Sequence, residues 1–357
     1  MSQIIDLHSH WFSPRSVELL KARGHAPRIV DESGAPSLQR TGPGVSGPPF
    51  ALGPQWFDID LRLAHLDKAG VAHQLISWPT TLGVDPALEA EDSLPLWRAW
   101  NDDLSQLVAR HPRRFSGLAA LSTSDIAWSV RELARGHDEL GLIGGTLPVN
   151  GLASLAGART FAPLFAEAQR RRSHIYLHTG YAHATVPGQP APSLHADTAA
   201  IRGALDTSWH FAAAVITLAF TDFLDAYPDV TVQVAMLGGS GVIGLVAEQV
   251  MLAAERYGVS DPASRFERIW LDTGAAGRGP QAIAMAANVL GADRIVFGSD
   301  FAPMPSIRPT IDNVLAAPIT AAQRQAIFTN NGRKLLHAKG VDLEPLQTSG
   351  SRMAPDS

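Results

Sequence analysis

The stretch IIDLHSHWF, residues 4–12, sets two histidines one residue apart directly after a short apolar run and an aspartate. In a β-strand, residues i and i+2 project to the same face. His8 and His10 therefore point the same way if this run is a strand, with Asp6 aligned behind them. Two imidazoles placed so at a strand end can share one metal ion. A pair of exposed histidines on an N-terminal arm would carry the same letters, so the choice depends on the rest of the chain.

Seven further runs resemble the first. They are AHQLISWP (72–79), RFSGLAAL (114–121), GLIGGTLP (141–148), SHIYLHTG (173–180), VTVQVAML (230–237), RIWLDTG (268–274) and RIVFGSD (294–300). Each is short, aliphatic or β-branched, and bounded by glycine, proline or charge, as buried strands are. Helical periodicity fills the gaps. DIDLRLAHLDKAG (58–70) ends on Gly70 as a stop, and 161–172 and 211–228 read the same way. Residues 319–340 read as two helices meeting near Asn330 and Asn331. Eight strands alternating with helices predict an α/β fold, a (β/α)8 TIM barrel.

No Gly-x-Gly-x-x-Gly follows the first strand, so a dinucleotide fold has no support. GGSGVIG (238–244) lacks the Lys-Ser/Thr of a phosphate loop and reads as a tight turn. Two Pro/Gly-rich segments, 24–56 and 180–207, follow barrel strands. They are expected as insertions over the C-terminal face, where barrel enzymes bind substrate. Residues 1–345 read as a single domain and 346–357 as a disordered tail.

Composition bounds the function. The chain has 357 residues, 45% of them hydrophobic and 18% charged, enough for a large buried core. A net charge of −5, without a basic run, gives no sign of a nucleic-acid partner. With no cysteine, any metal must use nitrogen and oxygen ligands. No apolar run is long enough to span a membrane and no signal peptide is evident, so a cytoplasmic location is expected.

The fifth run ends in His178 and the eighth in Asp300. Strand ends one, five and eight of a barrel converge on one mouth. Three imidazoles and a carboxylate there are a good donor set for zinc, with manganese as the other choice.

These residues, in this order, resemble the metal-dependent amidohydrolase superfamily, and within it amidohydrolase family 2, the branch typified by aminocarboxymuconate-semialdehyde decarboxylase. The resemblance rests on Asp6-Leu7-His8-Ser9-His10, LDKAGV at 66–71, Ser77 closing the second strand, and His178-Thr179-Gly180. It continues through FLDAYPDV at 223–230, Gly298 to Ala302, and the helix from Asn331 to Leu335. It runs from about residue 3 to 340. It implies His8, His10, His178 and Asp300 as ligands of one divalent ion. No strand-five lysine is present to bridge a second metal. It also implies a homodimer.

The sequence departs from the branch at one position. The sixth strand is expected to end in a histidine before Gly-Gly, and Met236 stands there. Methionine neither gives nor takes a proton. Metal binding can acidify water without help, His210, expected to begin the helix after strand five, can act as a substitute base, or the substrate can chelate the metal while Asp300 moves the proton. Candidate catalytic residues are thus Asp300 and His210. Candidate substrate contacts are Trp78, Tyr181, Met236 and Arg278, with Arg40 a further carboxylate partner. Asp272, ending the seventh strand, is expected to support either the site or the barrel. His183 and His195 have no assigned role.

Three functions follow. The first is non-oxidative decarboxylation of an aromatic or unsaturated carboxylic acid, the small-molecule substrate. The second is hydrolysis of an amide, ester or lactone by metal-bound hydroxide. The third is non-catalytic binding of a small molecule by a degenerate barrel. Loss of a water-activating histidine harms hydrolysis more than chelation chemistry, which favours the first.

Overall fold

The computed structural model describes residues 3–32, 34–42, 48–192, 199–274 and 279–343. Arg278, His195 and the tail from 346 lie outside these residues. Eight parallel strands form a closed barrel. In order they are Ile4–His10, Val71–Ser77, Phe115–Gly117 continued by Ala119–Ala120, Gly144–Pro148, His174–His178, Thr231–Val234, Ile269–Asp272 and Ile295–Val296. Each pairs in parallel with the next. The eighth closes on the first through Leu7 N to Phe297 O at 2.9 Å, Asp300 N to His8 O at 2.9 Å, and His10 N to Phe301 O at 2.6 Å. All seven residues of the first strand are buried, as expected for a parallel strand covered on both faces.

The sequence reading of the first strand needs one correction. Its pairing with the second strand slips between Asp6 and Ser9. Strict alternation does not carry through the bulge. The Asp6 carboxylate accepts from the backbone N–H groups of His8 and Ser299, the Ser299 hydroxyl and the Gln74 amide. It therefore ties strands one, two and eight together.

Local chemistry sets the helices. Asp58 caps Ile59–Ala69 by accepting from Leu61 N, and Gly70 ends it at φ 74°. Asp125 caps Ile126–Asp138 in the same way. The C-terminal stretch runs through Ala321–Gln325, a wider π turn at Ala326–Asn330, and Asn331–His337, so the expected junction near Asn330 is a change of helical pitch. The helix expected over 211–228 spans Ala199–Phe220, with a 3-10 turn at Phe223–Ala226. The insertion after the first strand is not bare loop. It holds the helix Pro14–Lys21 and an antiparallel sheet of Arg28–Glu32, Ala35–Gln39 and Phe50–Ala51. Among the described residues, no helix is long and apolar enough to cross a membrane.

Candidate metal centre

Four side chains converge at the mouth of the barrel. One donor atom from each of His8, His10, His178 and Asp300 lies within 4.8 Å of every other, and all four residues are buried. The rings of His10 and His178 are 4.4 Å apart, and His8 stands edge-on to both, at 5.1 and 4.9 Å. Asp300 sits at φ 58°, a left-handed conformation that aspartate tolerates better than most residues. Its backbone is held by its hydrogen bond to His8 O, so strand one places both its own histidines and the facing carboxylate.

Each imidazole is oriented from behind. His8 Nδ1 lies 3.0 Å from Asp272 Oδ1. His10 Nδ1 faces the Ser77 carbonyl at 3.3 Å and the Ser77 hydroxyl at 3.2 Å. His178 Nδ1 is 3.2 Å from Thr80 Oγ1, whose hydrogen goes to the Thr179 carbonyl. A carbonyl and a carboxylate only accept, and the Thr80 hydrogen is committed elsewhere, so the network assigns an Nδ1–H to all three rings. In the neutral form of each ring, Nε2 is then the bare nitrogen, and all three face inward.

Those three Nε2 atoms and Asp300 Oδ1 are all buried with no hydrogen-bond partner. Asp300 Oδ1 is only 3.2 and 3.3 Å from the Nε2 atoms of His8 and His10, but the geometry is not that of hydrogen bonds. Four orphaned atoms aimed at one point would be costly in a purely structural core. They fit a divalent ion, and a set of three nitrogens and one oxygen suits zinc or manganese.

The charge balance agrees. Burial disfavours the imidazolium of His8, but Asp272 and Asp300 outweigh it and hold its pKa up at about 10 in the metal-free centre. Burial lowers His10, and burial with its two neighbouring imidazoles lowers His178 well below the ordinary value. Burial also opposes the Asp300 carboxylate, yet His8 and His10 keep it strongly ionised. The centre thus presents an anionic Asp300, neutral His10 and His178, and a His8 that would give up its Nε2 proton as the ion binds.

The amidohydrolase family profile matches residues 5–338. The chain belongs to the amidohydrolase family. Among its relatives is a gamma-resorcylate decarboxylase of Rhizobium radiobacter, 26% identical over 82% of this chain and 93% of the relative. A 2-amino-3-carboxymuconate-6-semialdehyde decarboxylase of Dictyostelium discoideum is 24% identical over 70% of this chain and 67% of the relative. A dihydroxybenzoic acid decarboxylase from Polaromonas, solved with manganese and the inhibitor 2-nitroresorcinol, superposes with a TM-score of 0.65 at 19% identity. That superposition covers 94% of this chain and 97% of the other, and the fold is a TIM barrel.

In this amidohydrolase, Met236 stands two residues beyond the end of the sixth strand. Its backbone N–H donates to Asp272 Oδ1 at 3.1 Å, and its sulfur accepts from the Thr179 hydroxyl at 3.9 Å. It therefore borders the residues that flank His178 and orient His8. Every residue from Met236 to Gly241 has positive φ. Met236, Leu237 and Ser240 pay for that conformation without glycine's freedom, a cost of about 1–2 kcal/mol each. Gly238 and Gly239 are used where side chains would collide: a Cβ on Gly239 would lie 2.2 Å from the Ser208 carbonyl. The GGSG stretch is thus a left-handed turn, as its lack of a phosphate-loop lysine predicted.

The other expected site residues divide. Tyr181 is partly buried three residues beyond His178, and its ring meets His210 edge-on at 5.9 Å. His210 does not begin its helix: it lies in the middle of Ala199–Phe220 and is not among the four clustered ligand groups. Trp78 is only 2% exposed and packs edge-on against Phe12, Trp97 and Trp100. Its ring is thus a part of the core and not an open wall for a substrate. Arg40 stacks over the Phe50 ring at 5.5 Å.

Sequence reasoning missed Thr80, a loop hydroxyl with no motif around it. It also missed the hydroxyl relay above the barrel. Buried Asp85 accepts from the N–H and hydroxyl of Thr123, and the Thr123 hydroxyl accepts from His183 N at 2.7 Å. Three loops over the C-terminal face are joined there, with His183 held among them.

Proposed function

We propose that this amidohydrolase is a metal-dependent, non-oxidative decarboxylase of an aromatic carboxylic acid carrying a hydroxyl or similar oxygen beside the carboxylate. The observation that carries the proposal is the set of four orphaned donor atoms, His8, His10 and His178 Nε2 with Asp300 Oδ1, beside a sixth strand that offers no acid or base. The decarboxylase relatives support the same reading.

A divalent ion held by those four residues, zinc or manganese, would supply positive charge to bind and polarise the substrate's carboxylate and neighbouring oxygen. Asp300 is the protonatable group nearest the substrate. Ionised at the start, it would take the proton of the substrate's hydroxyl group and pass it to the ring carbon as the carbon–carboxyl bond breaks and carbon dioxide leaves, the phenolate then being reprotonated from solvent. Tyr181, three residues beyond His178, and His210, whose ring meets it, are the candidate wall for the substrate's ring. Met236 adds an apolar, proton-free flank, and Arg278, which follows the seventh strand in sequence, is a candidate partner for the substrate's carboxylate. Met236 cannot help to activate water as the expected histidine would, which favours decarboxylation over hydrolysis.

We also infer a homodimer. Ile201, Leu205 and Trp209 are 74, 66 and 59% exposed and follow one another at helical spacing on one face. Leu245 and Leu252 are exposed on Val242–Leu252, which packs beside that helix. A second copy would cover this stripe. Trp209→Glu is expected to shift the sedimentation of the protein from dimer to monomer. An unchanged monomer in both proteins would overturn the assembly.

Function is tested by carbon dioxide release from a panel of hydroxybenzoates and muconates, using protein stripped of metal and reloaded with zinc or manganese. Release is expected only with the metal. If the loaded protein cleaves lactones or amides and leaves every acid intact, the decarboxylase assignment is wrong.

A further inference from the structure

Behind Asp272, a line of buried polar groups runs down the inside of strands five and six. Gln233 Nε2 lies 2.8 Å from Asp272 Oδ2 and 3.0 Å from the Leu7 carbonyl. Gln233 Oε1 is 3.2 Å from His174 Nε2, and His174 Nδ1 is 2.9 Å from Thr231 Oγ1. His174, Gln233 and Asp272 are all fully buried.

The hydrogens on this line are determined. The Leu7 carbonyl can only accept, and so can the Asp272 carboxylate, so the Gln233 amide must turn its NH2 toward both. Its oxygen then faces His174, which must present an Nε2–H. Burial holds the pKa of His174 down at about 3, so the ring is neutral, and its bare Nδ1 accepts from Thr231. None of these groups can flip alone without setting two donors or two acceptors against each other.

We propose that Gln233 and His174 are positioning residues for the metal centre. His174 fixes the direction of the Gln233 amide. Gln233 in turn fixes Asp272 with one oxygen toward His8, and so keeps His8 as the Nδ1–H tautomer with Nε2 open to the metal. Outer-sphere groups of this kind change metal affinity by roughly 10- to 100-fold. The inference rests on the metal-centre reading, and the experiment separates the two.

The full chain is stripped of metal and titrated with Zn2+ against a chromophoric chelator. Wild type is expected to bind one equivalent, and His174→Phe and Gln233→Met to bind about 10- to 100-fold more weakly. His73→Phe is the control. His73 is also a buried, hydrogen-bonded barrel histidine, but its partners are the Arg113 carbonyl and Ser116. It should lower stability and leave Zn2+ affinity within about threefold of wild type. Nitrogen-15 spectra of the histidines in wild-type protein should show His174 as the neutral Nε2–H tautomer, a readout that does not require either variant to fold. The proposal is overturned if His174 is the Nδ1–H tautomer or an imidazolium. It is equally overturned if His174→Phe keeps wild-type affinity, or if His73→Phe loses as much. Failure of wild type to bind Zn2+ at all would instead remove the metal centre itself.

Discussion

Replacing Asp272 by asparagine would keep the shape behind His8 and reverse part of its chemistry. Oδ1 accepts from His8, from Met236 N and from Gly274 N at 2.9 Å, and Oδ2 accepts from Gln233. An NH2 in either place meets donors. Asp272→Asn is expected to weaken metal binding by roughly 10- to 100-fold, read by metal analysis after dialysis. Asp300→Asn strikes the centre directly, and carbon dioxide release should fall by at least about a hundredfold, the usual contribution of general acid–base catalysis. A variant retaining a tenth of wild-type turnover would remove Asp300 as the proton carrier. At this scale His8, His10, His178 and Asp300 were readable from sequence, because strand ends in a barrel point to one mouth. Asp272 was readable as a position but not as a role, since a carboxylate at a strand end shows its partner only when the fold closes. His210 was misplaced because the Pro-rich segment before it hid eleven residues of its own helix, from Ala199.

The elements were readable where hydrophobic period and stop signals agreed. Gly70 is an example: it ends its helix at φ 74° with open space around it. Gly70→Ala should therefore cost only the conformational term, about 1 kcal/mol, seen as a lower urea midpoint with unchanged metal content. Gly298 differs. A Cβ there would lie 2.7 Å from His8 Cβ and 2.9 Å from Asp272 Cβ. Gly298→Ala must push His8 away from Asp272, so metal content should fall more than stability does. The antiparallel sheet in residues 28–51 escaped the sequence reading. Its strands are short, hold Pro36, and alternate only weakly, as the partly exposed burial pattern of Ala35–Gln39 shows. The bulge in the first strand was also hidden, because periodicity reports the average face and not a local slip.

For the whole molecule, the buried neutral histidines make stability depend on acid. Burial lowers His73 to about 4 and His174 to about 3. The unfolded chain takes up protons near pH 6.5, while the folded chain does so only below those values. Stability present above pH 6.5 is therefore lost as pH falls toward 4, at up to about 3 kcal/mol per pH unit for the two groups together. Urea unfolding of metal-free protein between pH 6.5 and 5 should show His73→Phe with a slope shallower by one proton, and an unchanged slope would refute the assignment. The eight-strand count and the order of motifs made the barrel legible. Its closure, with the eighth strand hydrogen-bonded to the first, was not a property of any one segment. That closure also sets a timetable. A ribosome makes Asp300 292 residues after His8 and 290 after His10. Through that interval a nascent chain holds an incomplete donor set. Four-coordinate loading with metal must wait for Asp300, and a chain that stops short of it is a product that no supply of metal can repair.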